Sequence, residues 1–246
     1  MRHAFFTSTR PLVFAHRGGA ALAPENTMAA FECGVGLGAD GVELDVRPSS
    51  DGRVMVHHDE TLDRTTRLRG PVRSRSAAEL ARADVPQLAD VLRACRDVRV
   101  IVEIKEDDAA FGRLVVEELR KAGAVDRACV GGFRTGVLRS VRAEEPALAT
   151  SAALEEVRIA LYRTWLRWPV RHPAWVGYQI PETKGPTRVV SERFVRDAHA
   201  AGLGVQVWTV NDPADATRLL EWGVDGLITD RPDVMVPLVR AFAARP

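Results

Sequence analysis

The chain is poor in several features that would place it among familiar classes of protein. Cysteine occurs only three times in 246 residues, at Cys33, Cys95 and Cys129. An odd number of thiols in apolar surroundings argues against a disulfide framework and reads as reduced core cysteine in a cytosolic, cytoplasmic protein. No uninterrupted apolar run reaches the roughly 18 residues of a membrane span, and Met1 to Arg10 lacks the apolar centre of a secretion signal. Net charge is almost nil: 34 Lys and Arg against 33 Asp and Glu leave +1. No broad positive field is present to attract nucleic acid, so any phosphate recognition has to come from local charge. There is also no His-x-His, the pattern by which amidohydrolase barrels offer two imidazoles from one strand to a borderline metal.

What the chain does have is apolar content, 46% of residues, arranged in short runs that alternate with amphipathic stretches. Strands are expected at Leu12–Ala15, Val42–Val46, Val98–Ile104, Ala128–Gly131, Leu148–Ser151, Trp175–Ile180, Gly204–Val210 and Gly226–Thr229. Between and after them fall helices over Met28–Leu37, Gln87–Cys95, Ala109–Lys121, Thr135–Ala143, Leu154 to about Trp165, Glu192–Ala201, Pro213–Trp222 and Pro232–Phe242. Asn26 or Thr27 serves as cap of the first. Eight strands alternating with helices in a chain of this length predict an α/β fold, a (β/α)₈ TIM barrel, over an open doubly wound sheet. The chain then forms a single domain over residues 1–246. The Arg- and Ser-rich section from about 48 to 86 is read as an irregular insertion after the second strand, too short for a core of its own and carrying one hairpin.

Chemistry concentrates where the strands end. In Val42–Val46, Glu43 and Asp45 alternate with three aliphatics, so both carboxylates lie on one face. Two unpaired buried carboxylates are costly, and a hard divalent cation between them removes that cost. After an Asp51-Gly52 turn, Val54-Met55-Val56 leads into His57-His58-Asp59. His16 and Arg17 follow the first strand, Glu103 and Lys105 close the third, Gln179 and Glu182 follow the sixth, Trp208 and Asn211 end the seventh, and Asp230 follows the eighth. Barrel active sites are assembled from these C-terminal strand ends. Acids that hold a metal beside histidines that move protons make a metal-assisted hydrolase.

The residues also carry a family resemblance. His16-Arg17-Gly18, Pro24-Glu25-Asn26-Thr27, Phe31, Gly41 through Asp45, His58-Asp59, Leu62 through Thr66, Val207 through Asn211 and Gly223 through Pro232 together resemble the glycerophosphodiester phosphodiesterases. The resemblance implies a barrel of the kind counted above and metal-dependent hydrolysis of a glycerophosphodiester to glycerol 3-phosphate and an alcohol. In it, Glu43, Asp45 and Glu103 match the metal-binding acids; an all-oxygen set suits Mg²⁺ or Ca²⁺. His16 and His58 match the general acid and base. Arg17 and Lys105 are candidate phosphate clamps, a planar fork and a point charge, with salt bridges to the metal acids as the plainer alternative. Trp208 serves as a wall for the glycerol or simply as packing. Asp59 is placed to orient His58, Glu25 to touch the site, and His57, alternating onto the opposite face, to be structural. The same parts would serve a lysophospholipase D, whose substrate keeps one acyl chain. A barrel that only binds an anionic ligand or a membrane surface would gain nothing from a proton-transfer pair.

One stretch stands apart. Arg158, Tyr162, Arg163, Trp165, Arg167, Trp168, Arg171 and Trp175 interleave basic and aromatic residues, as peripheral contact with anionic lipid would require. The alternative is a helix covering the barrel with solvated arginines and a buried tryptophan edge. Liposome co-sedimentation separates the two. The partner expected on chemical grounds is a small phosphodiester, with no nucleic acid.

Overall fold

The structure, a computed structural model, describes residues 3–170 and 173–245; Arg171 and His172 lie outside the described residues. The strands are β1 (Leu12–His16), β2 (Gly41–Pro48), β3 (Val54–Val56), β4 (Arg99–Ile104), β5 (Ala128–Gly132), β6 (Ala149–Thr150), β7 (Gly177–Pro181), β8 (Thr183–Lys184), β9 (Thr187–Arg188), β10 (Gly204–Trp208) and β11 (Gly226–Thr229). The helices are α1 (Met28–Gly36), α2 (Ala77–Ala81), α3 (Leu88–Ala94), α4 (Ala109–Lys121), α5 (Thr135–Glu144), α6 (Leu154–Leu166), α7 (Glu192–Ala200), α8 (Pro213–Glu221) and α9 (Pro232–Ala243).

The main sheet runs β6-β5-β4-β2-β1-β11-β10-β7, with neighbours parallel throughout. Its two ends meet. Ser151 pairs with Gly177 in parallel, the Ala152 N–H donates to the Gly177 carbonyl at 3.0 Å, and the Val176 N–H donates to Thr150 at 3.0 Å. The sheet is thereby the (β/α)₈ barrel that the alternation of strand and helix predicts. Outward-facing aliphatics such as Val42, Leu44, Val100, Val102, Val205 and Val207 are fully buried under the helix layer, which is why the strands read as near-continuous apolar runs.

Inward-facing residues are layered. The floor is aromatic: a 3₁₀ turn, Ala4–Phe6, drives Phe5 and Phe6 into the barrel, where Phe5 stacks at 5.8 Å on Phe14. This plug needs space. A Cβ at Gly177 or Gly204 would lie 2.3 Å or 2.2 Å from the Phe6 ring, so strands β7 and β10 must start on glycine. The sequence reading saw in Met1 to Arg10 only the lack of a signal segment; its Phe5-Phe6 pair closes the barrel.

The section 48–86 carries the expected hairpin and more besides. β3 pairs back on β2, Val46 opposite Val56, and α2 starts in a capping box between Ser76 and Glu79. It also builds a small cluster of its own from Met55, Leu62, Val72, Ala77, Leu80 and Val85, against the expectation that it is too short to do so. The β8–β9 hairpin, turning on Gly185 at φ +58°, was likewise not foreseen. No helix among the described residues is long and apolar enough to cross a membrane.

Candidate active site

Strand register alone lays out the mouth. β1 against β2 sets His16 opposite Glu43, and β2 against β4 sets Asp45 opposite Glu103. Glu43, Asp45 and Glu103 each offer a carboxylate oxygen within 4.8 Å of the other two. The antiparallel turn into β3 brings the next histidines alongside, with the His57 N–H donating to the Asp45 carbonyl at 2.9 Å.

The charges here do not balance. Asp45 is buried but surrounded by donors: Lys105 Nζ at 2.8 Å, Arg17 Nε at 3.3 Å and Asn26 Nδ2 at 2.8 Å. Burial would raise its pKa, yet Lys105 and Arg17 hold it below the usual carboxylate range. Glu43 has no such company. It accepts the Arg17 backbone N–H at 3.1 Å and stands 3.8 Å from His16 Nε2. Burial, then the charges of Asp45 and Glu103, push its pKa up to about 8. A protonated glutamic acid beside two carboxylates is the arrangement expected of a cation site without its ion, and three buried or half-buried oxygen ligands fit a hard divalent cation. Lys105 reaches Glu103 as well, at 2.5 Å, and spans the acids as a clamp spans two oxygens.

Each candidate imidazole is held by a carboxylate. His16 Nδ1 lies 2.6 Å from Asp230 Oδ1, and Asn211 Nδ2 donates to the other oxygen of Asp230 at 2.8 Å. Burial lowers the His16 pKa, but Asp230 and Glu43 together outweigh it and raise it. His58 Nδ1 lies 2.6 Å from Asp59 Oδ1, and Asp59 is kept far below the usual carboxylate range by Arg64, then by His58 itself. Arg64 also grips Glu25 through both terminal nitrogens at 2.7 and 2.8 Å, and Glu25 accepts from Arg17 at 2.8 Å. A chain of ion pairs therefore joins His58 to Arg17 around one side of the mouth.

The sequence candidates converge, with adjustments of role. Asp59 does touch His58, and His57 is buried with Nε2 on the Thr61 carbonyl at 3.1 Å. Glu25 reaches Arg17 and Arg64 instead of His16. Thr27, not Asn26, caps α1; Asn26 adopts φ +59° and sends its amide to Asp45. Arg17 sits at φ +50°, and its Nε meets Asp45 as an ion pair at 3.3 Å without the geometry of a hydrogen bond. Trp208 packs over the barrel floor and also lines a cavity beside Glu103. Asp230 and Asn211 were noted only as polar residues at strand ends. The contact of Asp230 with His16 spans 214 residues, and its hint in the sequence is the position of Asp230 just after β11, the strand beside β1; Asn211 joins from the end of β10, one strand further on.

Comparison with known proteins identifies the family. Residues 16–234 match the model of the glycerophosphoryl diester phosphodiesterase family. A glycerophosphodiester phosphodiesterase of Caldanaerobacter subterraneus is 31% identical over 94% of this chain and 98% of its own. The solved glycerophosphodiester phosphodiesterase of Agrobacterium tumefaciens is 28% identical, with a TM-score of 0.73 over 94% of this chain and 99% of its own. A phosphodiesterase of Oleispira antarctica, solved with the product sn-glycerol-3-phosphate, is 26% identical, with a TM-score of 0.77 over 97% and 100%. The chain belongs to the glycerophosphoryl diester phosphodiesterase family.

Proposed function

We propose that this chain hydrolyses glycerophosphodiesters to glycerol 3-phosphate and an alcohol, with a divalent cation, Mg²⁺ or Ca²⁺, held by Glu43, Asp45 and Glu103. The observation that carries the reading is the cluster of three carboxylates flanked by two imidazoles, each imidazole backed by an aspartate. When bound, the cation supplies positive charge against the non-bridging phosphate oxygens and the charge that develops on them. Arg17 and Lys105 are salt-bridged here to Glu25, Asp45 and Glu103, the plainer of the two roles read from the sequence; beside a bound phosphate they would add a planar fork and an ammonium to the same pocket.

Hydrolysis needs one proton removed from the attacking oxygen and one delivered to the leaving oxygen. His16 and His58 take these two roles. Asp230, its pKa held low by His16 and Asn211, accepts a hydrogen bond from His16 Nδ1–H, which leaves Nε2, on the acid side of the ring, as the atom that exchanges a proton. Asp59 orients His58 in the same way. The relatives support the substrate class by name, and the Oleispira neighbour contains the product such a reaction releases.

The test is a panel of glycerophosphodiesters with released glycerol 3-phosphate measured directly. His16→Ala and Glu43→Ala each lower turnover by at least about 10² while the far-ultraviolet spectrum stays that of the folded protein. Near-normal turnover in either variant contradicts the assignment.

A further inference from the structure

Beside the acids the mouth opens into a cavity of about 590 Å³. It exists because neighbouring strands end in small residues, Gly131 on β5 and Ser151 just after β6, so nothing fills that half of the barrel top. One end is Glu103. The body is walled by Trp208, Ile180, Val157 and Leu161. At the far end the wall becomes Tyr162 and Trp165 of α6, which are 54% and 56% exposed. Arg158 and Lys184 also border it. Of the polar groups inside, Gln179 already donates to Gln206 at 3.0 Å.

Most of the wall is therefore apolar, with Glu103 of the acid cluster in it and the exposed rings of Tyr162 and Trp165 at the surface. Glycerol or a small polar alcohol neither fills such a space nor matches its walls. The volume lies within the roughly 300–1,000 Å³ of ordinary ligand sites, and the lining is of the apolar kind that holds hydrocarbon.

We propose that this cavity receives the acyl chain of a lysophospholipid, with the phosphodiester at the three acids and the end of the chain passing beside the Tyr162–Trp165 pair, whose rings meet edge to face at 5.4 Å. The proposal rests on the phosphodiesterase reading above and names its substrate class. In the reaction the oxygen of water bonds to phosphorus, the bond from phosphorus to the headgroup oxygen breaks, and a proton passes to the departing alcohol. The products are that alcohol and a 1-acylglycerol 3-phosphate. Residues of α6 and the strand ends around the cavity thus set specificity, and the acids and imidazoles do the chemistry. The exposed aromatics of α6, which the sequence alone left between lipid contact and barrel cover, become the entrance for the chain.

The experiment compares an unacylated glycerophosphodiester, chosen as the best-hydrolysed headgroup of the panel, with its 1-acyl derivatives of increasing chain length. Each is assayed below its micelle concentration and then above it. Burial of each methylene is worth about 0.8 kcal/mol, so kcat/KM rises roughly fourfold per methylene until the cavity is full. Leu161→Gln flattens that rise and leaves the unacylated diester unaffected, which also reports that the variant is folded. Tyr162→Ser, at the exposed rim, lowers the gain for the longest chains and spares the core.

A flat or falling series, with the unacylated diester hydrolysed well, overturns the acyl-chain site and leaves the phosphodiesterase reading standing. An acceleration that appears only above the micelle concentration overturns it too, in favour of docking to a lipid surface. A rise that persists unchanged in Leu161→Gln puts the chain elsewhere. Failure to hydrolyse any member of either set defeats the underlying reading itself.

Discussion

His16 and Asp230, at opposite ends of the chain, meet with Nδ1 and Oδ1 2.6 Å apart, and Asn211 fixes the far side of the carboxylate at 2.8 Å. The strands that carry them, β1 and β11, are neighbours in the barrel, with Ala15 level with Thr229. An ionised aspartate here both orients the ring and favours its protonated form. Asp230→Asn should therefore lower kcat by roughly 10², within the range of acid–base catalysis. It should also move the limb of the pH–rate profile that belongs to His16 to lower pH, because the anion that raises its pKa is gone. A fall in activity with no movement of either limb would assign Asp230 a purely structural role.

The second imidazole makes a parallel case. Asp59 holds His58 at 2.6 Å and is itself gripped by Arg64 at 2.6 Å. Asp59→Asn is expected to reduce kcat about tenfold to a hundredfold, as loss of an orienting partner does, with KM for the diester little changed. Steady-state kinetics check this; a rise in KM with kcat intact would place Asp59 in binding.

Glu43 gives a pH dependence of stability. In the folded, metal-free protein it keeps its proton to about pH 8, whereas the unfolded chain releases it near the ordinary value of 4.5. Between those values the folded state binds more protons, so stability declines as pH rises. His16, whose pKa is also raised, acts in the same direction where it loses its proton. Thermal unfolding in EDTA should show the melting temperature falling across that window, with a shallower slope in Glu43→Gln. A divalent cation, which displaces the proton, should stabilise the protein most at the alkaline end. A melting temperature that climbs with pH in EDTA would contradict the protonation described for Glu43.

The barrel floor can be tested apart from the site. In Gly204→Ala the new methyl would fall 2.2 Å from the Phe6 ring, an overpacking that costs typically 1–3 kcal/mol. Denaturant unfolding should show that loss, and the double variant with Phe6→Ala should show far less of it. Equal losses in the presence and absence of the Phe6 ring would mean that the plug is not what demands glycine.

The parts of this architecture that were legible in the sequence are those set by local rules. Alternation along Val42–Val46 places Glu43 and Asp45 on one face, and alternation along Val54–His58 turns His57 away from His58; the structure agrees, with the acids together and His57 on the Thr61 carbonyl. Eight apolar runs punctuated by caps and glycines sufficed for the barrel. What escaped the reading depends on contacts distant in sequence. Asp230 reaches His16 because β11 lies beside β1, and of the two candidate caps Asn26 leaves the role to Thr27 and bonds Asp45 instead. Phe5 and Phe6 lie before the first strand with no periodicity to mark their destination. The cavity beside Glu103 comes from side chains that are small or absent, and no motif announces an empty space.

The central claim is that the three acids hold a cation without which the imidazoles cannot act. The most direct test is the rate of glycerophosphodiester hydrolysis after EDTA treatment, before and after Mg²⁺ or Ca²⁺ is restored. Turnover should vanish in EDTA and return with at least one of the two ions in the unaltered protein, but not in Glu43→Gln. Full activity in EDTA-treated, metal-free protein would contradict the claim.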